Sequence, residues 1–249
     1  MLGVLLLALA GGAFLAAQFS PRQPATVALD VGISFIRLVL PILALVLLQD
    51  MVAREIERRQ VFSSLAYPRS RARYVLGRYL GVMFVLGIAA MFFFIVLASV
   101  VHWLPTTNAG STTTVALGAP LLITALAAMI DVATVAAFGI FLAVISTTPN
   151  MTLLGGLGFM AIARSASTIV ALLERERELL AGAGMYREGL RSVQWFVPDL
   201  AALDIRSIAL YGRMEFLPTS FGYAVAMAIC YVALLLVVTC AYFRGREFN

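Results

Sequence analysis

Apolar positions along this chain fall into six long runs, and the polar positions lie almost wholly between them. The runs cover residues 2–19, 27–48, 79–103, 115–145, 151–173 and 217–242. Each is near or above the roughly 20 residues that a helix rising about 1.5 Å per residue needs to cross a bilayer core. The pattern predicts an all-α polytopic membrane protein, a single transmembrane domain of six helices over residues 1–249. The fourth run is longer than the core requires, so it must tilt or lay its first turns at the interface near Pro120. The first run has no basic residues before it, unlike a secretory signal, although small residues near its end leave cleavage open.

Composition supports lipid as the solvent. The chain is 62% hydrophobic and only 12% charged, about half the charge of a soluble domain. The six runs take up well over half the length and leave no room for a soluble catalytic domain. Every basic residue is Arg, so a phosphate-binding loop of the form G-x-x-x-x-G-K-[ST] is impossible. The lone His102 rules out a two-His metal site or bis-His haem within one chain. Cys230 and Cys240 share the last run and read as small apolar packing residues rather than a disulfide framework. We therefore expect no catalytic residues, no metal and no cofactor bound by this chain.

Net charge is +5, and the topology rule accounts for it before nucleic acid does. The loop at residues 49–78 carries Arg54, Arg58, Arg59, Arg69, Arg71, Arg73 and Arg78, whereas the loops near Ser20 and Pro105 carry only Arg22 between them. Positive charge therefore places the 49–78 loop and both termini in the cytoplasm. Residues 174–216 then lie outside, with six Arg offset by seven acids. That segment reads as short interfacial helices interrupted by Gly182, Gly184 and Pro198.

The cytoplasmic loop has internal structure. Residues 50–65 read as a helix, with Asp50–Arg54 and Glu55–Arg59 spaced i,i+4 in the favourable order. Pro68 stops it, and Ser70 can cap a second helix that runs through Tyr74 into the third run. Physics alone leaves two readings open. The loop is either an interfacial anchor on anionic headgroups or a docking surface for a partner.

Three motifs resemble a known family. They are Arg54-Glu55-x-Glu57-Arg58-Arg59, then Ser64-Leu65-Ala66-Tyr67-Pro68-Arg69-Ser70-Arg71, then Tyr74-Val75-Leu76-Gly77-Arg78-Tyr79-Leu80-Gly81. Together they are similar to the ABC-2 type permeases, whose pattern is a charged R-E-x-E helix, a L-x-x-P-x-S-R turn and a Y-x-x-G-K/R-x-x-G start to the third helix. The chain most resembles the six-helix NosY-like subgroup of bacterial export systems. Val197-Pro198-Asp199-Leu200 with Leu203-Asp204 before the last run resembles it too. Two departures stand out. Arg69 occupies a position where an aliphatic residue is common, and the chain starts almost inside its first span, without the amphipathic elbow helix of relatives. That helix is either missing from this sequence or lies upstream of the assigned start.

The resemblance implies a role for the loop as a coupling helix seated in a cleft of a separate ATPase subunit. Arg54, Glu55, Glu57, Arg58 and Arg59 would form the docking face, with Phe62 and Leu65 as apolar anchors. It also implies a homodimer of permease chains in the bacterial inner membrane with two ATPase copies, which hold the ATP and Mg, and room for a periplasmic partner. The segment after the fifth run would form an outer gate.

Three charges interrupt the apolar runs: Arg37 in the second, Asp131 in the fourth and Arg164 in the fifth. Each costs on the order of 3 kcal/mol facing lipid. Counted from the cytoplasmic ends they lie at broadly similar depth, which predicts a buried network with Asp131 accepting from Arg164, Arg37 or both. Such a network either pins helix packing or serves gating and substrate contact. Asp30, nearer the outer end, is expected to face water or a partner subunit. Gly77 and Gly81, and Gly155, Gly156 and Gly158, suit close helix approach, and Trp103, Tyr223 and Tyr242 fit an aromatic belt.

The leading reading is thus the permease half of an ABC exporter, with its ATPase in another chain. The alternative is an ATP-independent membrane protein, either a small secondary transporter or a membrane-anchor subunit. A secondary transporter usually shows an internal repeat, and none is evident here.

Overall fold

A computed structural model of the chain describes residues 2–20, 22–57, 71–104, 115–146, 148–175 and 198–245. Its helices are α1 (Leu2–Gln18), α2 (Pro24–Leu48), α3 (Arg54–Glu57), α4 (Arg71–Trp103), α5 (Ala119–Ile145), α6 (Pro149–Arg175), α7 (Arg206–Tyr211) and α8 (Phe221–Gly245). No strand occurs among the described residues. Four stretches are long and apolar enough to cross a membrane: Pro24–Ala53, Ala72–Trp103, Ala119–Ile145 and Phe221–Arg244. The apolar helix α1 falls just short at 17 residues, and α6 has the length at 27 residues but carries Arg164 and a more polar composition. Six apolar runs thus become four candidate spans and two helices that pack with them.

Helix starts follow backbone chemistry. Pro24, Pro120 and Pro149 stand in the first turns of α2, α5 and α6, where a missing N–H leaves no bond unmade. The long fourth run is not one helix. Residues 115–118 precede α5, and the Ala116 N–H donates to the Ala209 carbonyl of α7 at 3.1 Å. Part of the excess length is thus spent on a tether to the 198–216 segment, and the helix starts close to Pro120. The sixth run is also shorter than its apolar stretch: Leu217 to Ser220 form a turn, and α8 begins at Phe221. In the third run the helix begins earlier, at Arg71.

Between α2 and the charged loop the chain does not break. Residues Gln49–Ala53 form a π turn, closed where the Arg54 N–H donates to the Gln49 carbonyl five residues back, and α3 follows directly. The rest of the expected 50–65 helix lies outside the described residues.

The bundle is organised on α2. Leu29, Ile33, Ile36, Leu40 and Leu45 are fully buried among α1, α4, α5 and α6. Two glycines set the closest approaches. A Cβ on Gly32 would meet all three branch atoms of Leu97 at 2.1–3.0 Å, and one on Gly156 would lie 2.3 Å from Leu45. A stack of Phe138 on Phe159, with centroids 4.1 Å apart, continues to Tyr231 of α8 at 6.0 Å. α8 itself sits at the edge and presents Ile229, Leu234 and Val237 outward.

Candidate functional site

The structure brings Arg37, Asp131 and Arg164 together in the middle of the bundle. Asp131 is the most deeply placed, with a side chain 1% exposed. Arg164 Nη2 donates to Asp131 Oδ2 at 2.5 Å, and Arg37 Nη2 lies 3.5 Å from the same oxygen. Three helices, α2, α5 and α6, are thereby joined at one carboxylate.

Pro41, a residue the sequence reading passed over, explains why Arg164 fits there. Proline has no N–H to give the carbonyl four residues earlier. In α2 that carbonyl belongs to Arg37, and Arg164 Nη2 donates to it at 2.8 Å. A guanidinium from α6 thus replaces the hydrogen bond that Pro41 removes, as apolar surroundings require. The signal was present in the sequence as the spacing Arg37-x-x-x-Pro41.

The network extends beyond the three expected residues. Asp204, just before α7, ion-pairs through Oδ2 with Arg37 Nη1. Arg206 Nε lies 3.5 Å from the same Asp204 oxygen, while its Nη1 reaches Asp30 Oδ1 at 3.0 Å and Ser34 Oγ at 2.5 Å. Asp30, expected to face water or a partner chain, is therefore half exposed and paired within this chain. The Leu200 carbonyl accepts from Arg37 Nη2 at 3.2 Å, and the Leu200 N–H donates to the Ala163 carbonyl at 3.1 Å. Residues 200–206 are thus fastened to α2 and α6 by backbone and by charge. Three guanidinium groups face three carboxylates, so the cluster is neutral when every member is in place.

These groups wall a crevice of about 270 Å³, lined by Ser34, Arg37, Arg164, Ala201, Asp204 and Arg206. Arg37 Nε, Arg164 Nε and Asp131 Oδ1 are buried and have no hydrogen-bond partner among the described residues. The cluster therefore holds spare donor and acceptor capacity beside a polar cavity, where bridging water or a polar ligand group is favoured.

The described part of the charged loop divides between solvent and the bundle. Arg54 is exposed and pairs with Asp50 at 2.9 Å in the expected i,i+4 arrangement. Glu55 turns inward to α4: Tyr74 Oη donates to its Oε2 at 2.7 Å, and Arg78 Nη2 ion-pairs with its Oε1. Arg78 also lies over the Tyr74 ring, 5.4 Å from its centroid, and that ring stacks on Phe243 of α8 at 5.7 Å. Nearby, buried Gln49 donates from Nε2 to Asn150 Oδ1 at 3.2 Å, which ties the π turn to the start of α6. Of the remaining expected docking residues, Glu57 ends α3, and Arg58, Arg59, Phe62 and Leu65 lie outside the described residues. No group of three or more His, Cys, Asp or Glu able to hold a metal occurs among the described residues.

The family described as ABC-2 family transporter protein matches residues 4–245, nearly the whole chain. None of the curated proteins is a significant match. A membrane bundle of apolar helices and a match of this extent agree with the motif resemblance, and the chain belongs to the ABC-2 transporter family.

Proposed function

We propose that this chain is the membrane permease subunit of an ABC exporter, driven by ATP hydrolysis in a separate ATPase chain that holds the ATP and Mg. In this reading α1 and α6 complete a six-helix transmembrane domain, with both termini and residues 49–78 on the cytoplasmic side of the bacterial inner membrane. Two permease copies and two ATPase copies make the working assembly, with room for a periplasmic partner and no role for nucleic acid. Its motifs most resemble those of the NosY-like subgroup, to which we assign it within the family.

The observation that carries this reading is the construction of the loop. The charged segment continues α2 through a π turn, and Glu55 clamps it to Tyr74 and Arg78 of α4. A push on such a segment moves two helices of the bundle together, which a coupling helix has to do and a headgroup anchor does not. Within the R-E-x-E motif the roles then divide. Arg54, Glu57, Arg58 and Arg59, with Phe62 and Leu65, would contact the ATPase, while Glu55 transmits within the permease.

The test is co-purification from native membranes. With the wild-type chain an ATPase subunit is expected in the complex, and changing Glu57, Arg58 and Arg59 together to Ala is expected to lose it. An intact, folded permease with no ATPase attached would overturn the reading and favour an ATP-independent transporter or anchor subunit.

A further inference from the structure

We propose that the crevice between α2, α6 and residues 201–206 is an oxoanion-binding site, and that Asp204 is its built-in, displaceable occupant. The inference bears on what the permease carries, so it rests on the permease reading. Its physical basis is independent of ATP.

The starting point is the unequal placement of the two acids that serve Arg37. Asp131 is 1% exposed and shared with Arg164, so it belongs to the helix bundle. Asp204 is 27% exposed, lines the crevice, and sits on a segment outside the long helices. At the inner end of the cluster, Arg37 and Arg164 are balanced by Asp131 and Asp204. If residues 201–206 move away, Asp204 leaves with them and two part-buried guanidinium groups face one carboxylate. Asp30 does not make up the difference, since it lies about two turns from Arg37 along α2 and its side chain is 46% exposed. An uncompensated charge among apolar helices is strongly unfavourable. The segment can therefore leave at low cost only when another anion takes its place on Arg37.

The geometry suits a carboxylate or phosphate group. Arg37 Nη1 is the donor that Asp204 vacates, Arg37 Nε and Arg164 Nε are buried with no hydrogen-bond partner among the described residues, and Ser34 Oγ stands at the wall. Guanidinium forks bind such planar or tetrahedral oxoanions through paired N–H donors. The volume of about 270 Å³ holds one such group and part of what it is attached to. Binding and release of residues 201–206 then become one event. The anion replaces Asp204, and Arg206 is drawn away from Asp30 and Ser34 with the same segment.

The experiment measures anion binding to the purified full chain in nanodiscs, without nucleotide or ATPase. Inorganic phosphate is one probe; nanodiscs doped with phosphatidic acid are the other and distinguish a lipid headgroup from a free anion. Asp204→Asn removes the internal competitor and is expected to raise affinity for one of the probes on the order of tenfold. Asp204→Glu restores a carboxylate and returns affinity to the wild-type level. Asp204→Asn combined with Arg37→Gln loses the gain. If Asp204→Asn binds neither probe more tightly than the wild type, or if the gain survives Arg37→Gln, the proposal fails. Failure here would leave the ATPase pull-down untouched, and an absent ATPase would leave this result untouched.

Discussion

At the scale of single residues, one carboxylate holds three helices. Asp131 is buried and accepts from Arg164 and Arg37. Removing one partner of a buried ion cluster typically costs about 3–5 kcal/mol because the remaining charge is stranded. Asp131→Asn is accordingly expected to lower thermal stability in detergent by several degrees and to reduce the amount of folded protein. Pairing it with Arg164→Gln removes a charge of each sign, so the double variant should unfold at a higher temperature than the sum of the single losses predicts. Simple additivity would show that the contact contributes little. Asp131 and its two partners were legible in the sequence because a charge inside an apolar run has few ways to be satisfied. Asp204, Arg206 and Asp30 were not, since charges in a polar segment or near a helix end ordinarily meet water. The role of Pro41 escaped for another reason: it appears only when one asks which carbonyl a proline leaves free.

At the scale of elements, contact between helices depends on where side chains are absent. Gly32 lets α4 cross α2 with Leu97 in the space its Cβ would fill, whereas a Cβ on Gly77 or Gly81 would have nothing within 4 Å. Gly32→Ala is expected to destabilise the bundle by about 1–3 kcal/mol through overpacking, while Gly81→Ala leaves the unfolding temperature of the isolated chain unchanged. Equal effects would mean that the α2–α4 crossing can relax. Gly77 and Gly81 looked like Gly155 and Gly156 in sequence, yet only the latter pair meets a neighbouring helix, since spacing shows that a close approach is possible but not whether a helix uses it. The loop shows the same division. Its helical start and the Asp50–Arg54 pair followed from i,i+4 spacing, but the inward turn of Glu55 depends on Tyr74 and Arg78, 19 and 23 residues further along the chain and unpredictable without the fold. Glu55→Gln keeps the shape and removes the charge. It is expected to leave the ATPase bound and to lower transport-linked ATP hydrolysis about tenfold, in keeping with the loss of about 1.5 kcal/mol from a charged hydrogen bond. Loss of ATPase binding instead would return Glu55 to the docking face.

At the scale of the whole molecule, composition alone established a membrane bundle, because lipid is the only solvent that tolerates so much apolar surface. It overstated the regularity of that bundle. The tether at residues 115–118 is apolar by sequence but not helical, and its Ala116 N–H holds the 198–216 segment through the Ala209 carbonyl. Hydropathy measures what a residue prefers as solvent; it is silent on backbone bonds made to a distant segment.

The shared carboxylate also imposes an order on biogenesis. Arg37 and Asp131 are 94 residues apart in the chain. A ribosome adding about 5–20 residues per second leaves α2 with an unpaired arginine for roughly 5–20 seconds. During that interval the helix faces an insertion penalty on the order of 3 kcal/mol. Nascent chains that stop before α5 should therefore integrate α2 incompletely, and Arg37→Leu should correct this in the truncated chain. Complete integration of the wild-type truncation would mean that something other than Asp131 shelters Arg37 on the way into the membrane.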